Sequence, residues 1–143
     1  MVPKFRAWNG YRKIMADYVS AIQNGDTKGT PSSVNVIVNG KNETWDIKND
    51  HVKLLQYTGV KDESDVDIYE GDIVRVSDVY GDLSYIDVIW GGSDRYPAFD
   101  IKNHSKYYDS NALLSIVNGG FEIIEVIGNV HTNPELLEAD TND

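Results

Sequence analysis

Cysteine is absent from the 143 residues, which removes disulfides and every thiolate metal site. The small disulfide-framed class is excluded, and a reducing, intracellular setting is expected. Long apolar runs are missing as well. The strongest, Ile123-Ile124 and Val126-Ile127, is broken by Glu122, Glu125 and Gly128, far short of the roughly 20 residues that a helix needs to cross a bilayer. The N-terminal MVPKFRAWNGYRKIM holds no apolar run of signal-peptide length, so a soluble, cytoplasmic protein without membrane contact is expected. Asn42-Glu43-Thr44 and Asn103-His104-Ser105 match the glycosylation pattern, and without a secretory signal they read as chance matches. His51, His104 and His131 are scattered and do not pair at metal-ligand spacing. There is no HExxH pattern, no nucleophile elbow and no glycine-rich phosphate loop. Catalysis therefore has no anchor. The expectation is a protein that is not an enzyme and takes no cofactor and no metal.

Positive charge is scarce in one half only. Residues 1–56 carry eight Lys/Arg against five Asp/Glu, a balance of +3, whereas residues 57–143 carry five against eighteen, a balance of −13. A field of that sign repels phosphate backbones, so nucleic acid is disfavoured as a partner of the second half. An acidic surface also keeps a domain soluble. A chain of this length buries roughly 70% of its unfolded surface and can hold a core without staples.

Short β-rich runs punctuated by turn residues dominate the chain. Phe5 to Trp8 alternates apolar and polar positions, Asn9-Gly10 reads as a turn, and Tyr11 to Val19 as the returning strand. Residues 23–33, QNGDTKGTPSS, read as a loop. Val34, Val36 and Val38 then alternate, Asn39-Gly40 supplies a type I′ turn, and Lys41 to Ile47 returns. KLLQYT at 53–58 is a further strand ended by Gly59, and the charged stretch 61–67 reads as a solvated connector. In the second half, DIVRV at 72–76, LSYIDVIW at 83–90 and Tyr96 to Ile101 are strands. Pro97 implies an edge or bulge in the last of them. Residues 109–117 suggest a helical turn or two capped by Asp109 and Ser110. Phe121 to His131 is a long strand bent at Gly128, and Pro134 precedes a short helix.

The fold class expected is mainly β, with an N-terminal β-hairpin-rich subdomain at 1–65 and a small SH3-like barrel with a short helical tail at 66–143. The expected barrel core is Ile73, Val74, Val76, Ile86, Val88, Trp90, Phe99, Leu114, Ile124, Val126 and Val130.

Four blocks in order resemble the YopX family of phage and prophage proteins. They are Lys4 to Trp8 (KFRAW), Leu55 to Asp62 (LQYTGVKD), Ile68 to Val74 (IYEGDIV) and Val126 to Leu137 (VIGNVHTNPELL). Together they span nearly the whole chain; the stretches 23–53 and 77–118 carry no comparable signature. The resemblance implies a small β protein with an SH3-like barrel, carried by a phage or by a prophage in a bacterial genome. It brings no biochemical activity with it.

Candidate binding residues follow from the aromatics and charges. Tyr57, Tyr69, Tyr85 and Tyr96 could line a groove for a peptide or nucleic acid. Glu70 and Asp72 flank Gly71 in a turn where two carboxylates could meet a cation, although satisfying local backbone donors is the reading favoured for them. Gly71 is expected at positive φ. His131, near Asn129 and Asn133, is the histidine best suited to move a proton. The leading functional expectation is a non-enzymatic, protein-binding module with an unidentified protein partner. The alternative is a nucleic-acid-binding accessory protein using the basic, aromatic N-terminal segment Lys4, Arg6, Trp8, Tyr11, Arg12 and Lys13. A homo-oligomer is also expected, on the ground that the hairpin from Val34 to Ile47, with Trp45, must dock on the barrel or on another subunit.

Overall fold

The computed structural model describes residues 4–24, 31–91, 99–104 and 112–141. The chain divides into two compact units, Met1–Gln56 and Tyr57–Asp143.

In the first unit, β1 (Phe5–Asn9) pairs antiparallel with the two-residue β2 (Ile14–Met15). The return to Val19 expected from the sequence stops at Met15. Asn9 explains this: its side-chain oxygen accepts from the Arg12 N–H and its carbonyl from the Lys13 N–H, at 2.8 Å each. With Lys13 at φ 59° the turn is longer than a two-residue Asn-Gly loop. Ala16 then bonds back to Ala7, and Asp17 bonds to Ile37, handing the chain to a second sheet.

That sheet orders β3 (Tyr18–Asn24), β4 (Pro31–Val38) and β5 (Lys41–Asp46). The loop expected over 23–33 is thereby corrected. Gln23 sits opposite Ser33 and Asn24 opposite Pro31, so pairing extends into the polar stretch; residues 25–30 lie outside the described residues. The Val34–Ile47 hairpin forms as its turn chemistry predicts, with Val38 opposite Lys41, and Asn39 and Gly40 at φ 52° and 79°. Left-handed backbone is least costly for these two residue types. Val34, Val36 and Trp45 are buried with Ala7 and Ala16 in the unit's own core. The cover that Trp45 requires comes from within the unit, from β1 and the Ala16 corner.

β6 (Val52–Lys61) passes from one unit to the next. Residues 52–56 pair with β1. In the second unit, Tyr57 and Lys61 pair with Tyr69 and Asp67 of β7 (Asp67–Tyr69), with an irregularity between them. Gly59, expected to end the strand, lies in that irregularity at φ 85° and the strand continues.

The main sheet of the second unit is antiparallel and curls into a half-barrel. Its order is β10 (Phe99–Ile101), β9 (Ser84–Gly91), β8 (Asp72–Asp78), β11 (Glu122–Asn129). The mainly β class holds, and the arrangement is compatible with the SH3-like expectation. β11 is bulged between Val126 and Gly128, where the sequence predicts a bend. Helix α1 (Ala112–Gly119) packs on β10 and β11, and α2 (Glu135–Thr141) packs on β9. The expected caps Asp109 and Ser110 lie outside the described residues; Asp100 Oδ1 accepts the Ala112 N–H at 2.7 Å at the helix start.

The core of this unit is Ile68, Val74, Val76, Tyr85, Ile89, Ile101, Ala112, Leu113, Ile116 and Ile124. Three expected core residues are corrected. Trp90 is 52% exposed, Leu114 is exposed, and Ile86 is only half-buried. In β9 it is Tyr85, Asp87 and Ile89 that face this core side together, and in α1 it is Leu113 and Ile116. A shift of one position exchanges the faces of a strand. Ile73 and Val88, opposite each other, are buried as expected, while Phe99, Val126 and Val130 are half-buried.

Candidate functional site

The turn Tyr69-Glu70-Gly71-Asp72 joins β7 to β8. Asp72 is fully buried, and its Oδ2 accepts the Tyr69 N–H at 2.8 Å, closing the turn. Gly71 has φ 85°, donates its N–H to Ile89 O at 2.7 Å and accepts the Val130 N–H at 2.9 Å. The positive φ predicted for Gly71 is present. Glu70 is half-buried, with Oε2 lying 2.9 Å from where a side chain at Gly91 would begin. The Asp72 carboxylate is engaged by backbone. Among the described residues, no three His, Cys, Asp or Glu side chains are grouped so as to hold a metal ion.

Two further carboxylates are buried, and the sequence reading missed both. Asp62, expected in a solvated connector, accepts the Ser64 and Val66 N–H groups on Oδ1 and the Val126 N–H on Oδ2, all at 2.9 Å. It folds the 62–66 turn and ties it to β11, so its burial is compensated by three donors. Asp87 is fully buried. Its two oxygens accept the N–H groups of Val88 (2.7 Å), Asn103 (2.9 and 3.1 Å) and His104 (2.8 Å). Oδ2 also meets His104 Nδ1 at 2.6 Å, where the ring nitrogen donates to the carboxylate. The His104 ring stacks on Tyr85 at 4.2 Å between centroids. A buried carboxylate that orients an imidazole is the geometry general bases use. Here the same carboxylate also gathers three backbone donors, which makes it a clamp on the chain leaving β10. The available signal was an aspartate amid the apolar run of LSYIDVIW, where burial demands a partner.

The sequence-predicted aromatics separate into two places. Tyr57 and Tyr69 form one tilted pair, 5.5 Å between ring centroids, with Tyr69 buried. Tyr85 is buried beneath His104, and Tyr96 lies outside the described residues. His131 is half-buried in a turn organised by Asn129, whose Oδ1 accepts the N–H groups of His131 and Thr132 at 3.0 and 2.8 Å.

The basic N-terminal residues are dispersed in their roles. Trp8 is buried and Arg6 half-buried. Arg12 pairs with Glu43, which also accepts from Trp45 Nε1 at 3.1 Å. These contacts, Trp45 first and Arg12 second, hold the Glu43 carboxyl below its usual range. Lys4, Tyr11 and Lys13 are exposed.

Lys4 and Phe5 instead line a cleft of about 620 Å³ with Tyr18, Val19, Ser20, Ala21 and Ile22. One wall is the start of β1 and the other is β3, an outer strand of its sheet. Tyr18 and Ile22 are exposed, and β3 (YVSAIQN) carries no charged residue and no proline. Neither the cleft nor the free edge was anticipated from sequence, because β3 lies in the stretch assigned to a returning strand and a loop.

The family model of the YopX proteins matches residues 4–138. The chain belongs to the YopX family. Protein EF1440 from Enterococcus faecalis is 27% identical, with a TM-score of 0.64 over 96% of this chain and 99% of that one. Protein yopX from Bacillus subtilis is 22% identical, with a TM-score of 0.64 over 93% of this chain and 96% of that one, a likeness of fold. No curated protein matches. In this YopX-family chain the blocks that carry the resemblance are bonded to one another. Arg6 lies opposite Leu55 and Tyr57 opposite Tyr69. Val130 donates to Gly71, and Val126 to Asp62. The blocks frame the fold; the cleft residues Tyr18 to Ile22 lie outside all four.

Proposed function

We propose that this YopX-family chain is a non-enzymatic protein-binding module, of phage or prophage origin and acting in the cytoplasm of a bacterial host. In this reading it takes an extended segment of a partner protein into the cleft along β3. The observation that carries the reading is the uncharged outer strand beside that cleft. Exposed edges are usually blocked by charge, proline or a covering element, and β3 has neither charge nor proline. Strand addition would bond the partner's backbone to β3, beside Lys4 and Phe5 on the other wall of the cleft. The nucleic-acid alternative has weaker support, since Trp8 is buried and Arg12 is paired with Glu43.

The test compares affinity capture by the wild-type chain and by Ile22→Lys, which sets a charge on the open edge at an exposed position. A host protein retained by the first and lost by the second, with unchanged melting temperature, supports the module. Identical captured sets would overturn the cleft. A wild-type dimer that Ile22→Lys dissociates would assign the edge to a second copy instead. Salt-sensitive retention of DNA or RNA, unaffected by the substitution, would favour the alternative.

A further inference from the structure

Independently of the cleft, the second unit carries an apolar surface where a turn would normally be polar. The hairpin joining β8 to β9 turns through Asp78 to Leu83, and Asp78 N–H bonds to Leu83 O at 3.0 Å. Asp78 Oδ1 accepts the N–H groups of Tyr80 (3.1 Å) and Asp82 (2.8 Å), which fixes the turn's shape. Val79 N–H donates to Phe121 O at 2.9 Å, so the start of β11 lies against the same tip. Four large apolar side chains meet solvent there: Val79, Leu83, Tyr80 (76% exposed) and Phe121 (67% exposed). Turns favour small and polar residues, and exposed apolar residues grouped on one tip mark an interaction surface.

The charge around the tip specifies the partner. Asp78, Asp82 and Glu122 flank the four apolar residues. Residues 76–91 and 112–141, which build the tip and its surroundings, contain no Lys or Arg. Residues 57–143 as a whole carry −13. Such a field opposes an anionic membrane and nucleic acid, and it opposes a second copy of the same acidic tip. We propose that this tip docks a basic protein segment carrying apolar side chains, which seat against Tyr80 and Phe121 while its Lys or Arg residues meet the acidic rim.

The probe is a synthetic amphipathic Lys/Leu peptide, with a Lys/Ser peptide and a Glu/Leu peptide as controls, titrated into the full chain and followed by amide chemical shifts. Expected are shifts centred on residues 78–84 and 121–122, affinity that falls as salt rises, and weaker binding of both controls. Tyr80→Ser combined with Phe121→Ser should weaken Lys/Leu binding by roughly tenfold or more with unchanged melting temperature, since both rings are exposed. Attraction by charge alone would survive that double substitution, and equal binding by the variant would overturn the proposal. It would also fall if the Glu/Leu peptide bound as well as Lys/Leu. Dimerisation or anionic-vesicle binding that the double variant abolishes would assign the tip to a second copy or to a membrane instead.

Discussion

The two units are built by different chemistry. The first rests on hairpin signals and apolar contact: Val34, Val36 and Trp45 close over Ala7 and Ala16, and among the described residues its one fully buried polar side chain is Asn9. Among the described residues, the second buries three carboxylates, Asp62, Asp72 and Asp87. Each accepts backbone N–H groups: Asp62 from Ser64, Val66 and Val126, Asp72 from Tyr69, and Asp87 from Val88, Asn103 and His104 together with the His104 ring. Acidic composition in the second unit is therefore partly internal architecture. A carboxylate that collects several backbone donors can replace a regular turn, because charge-assisted bonds offset the desolvation of the group. This allows a half-barrel with short helices and irregular connections.

Removing the anchor of each unit sharpens this contrast. Trp45→Ala should have the largest effect, a loss of about 3–5 kcal/mol from the first unit's core, read by denaturant unfolding. A near-native midpoint would show that apolar burial is not what holds that unit. Asp87→Ala should cost about 3 kcal/mol, since it leaves the Val88, Asn103 and His104 donors unmatched. His104→Ala should cost clearly less, because the backbone donors remain on Asp87. Equal losses would mean that the His104–Asp87 pair, rather than the backbone clamp, is the stabilising contact.

Gly71→Val should lower stability by about 1–2 kcal/mol, because a β-branched residue at φ 85° is strained. An unchanged melting temperature would show that the turn can relax around the substitution. The smallest effect expected is on pH dependence in the first unit. The Glu43 carboxyl lies lower in the folded chain than its ordinary 4.5, so the unfolded chain binds its proton first. Its contribution is present above pH 4.5 and is lost as pH falls through the folded value. Glu43→Gln should flatten the acid limb of stability slightly and loosen Arg12. An acid limb identical to wild type would remove Glu43 from the account.

Local signals in the sequence determined a good part of this protein. Asn39-Gly40 specified its hairpin, Gly71 its left-handed turn and Gly128 its bulge, because positive φ, turn geometry and strand alternation act over a few residues. The four blocks carried the resemblance to the family, whose model matches residues 4–138. Tertiary structure alone decided which face of β9 and of α1 turns inward. LSYIDVIW is apolar on both sides, so periodicity could not choose between Ile86 with Trp90 and Tyr85 with Ile89. The choice that buries Asp87 becomes favourable only when Asn103 and His104, sixteen and seventeen residues onward, bring their donors to it. Cover for Trp45, the three donors on Asp62 and the open edge of β3 were decided in the same way. Each depends on which distant backbone arrives, or fails to arrive, beside a residue whose own neighbours in sequence leave the outcome open.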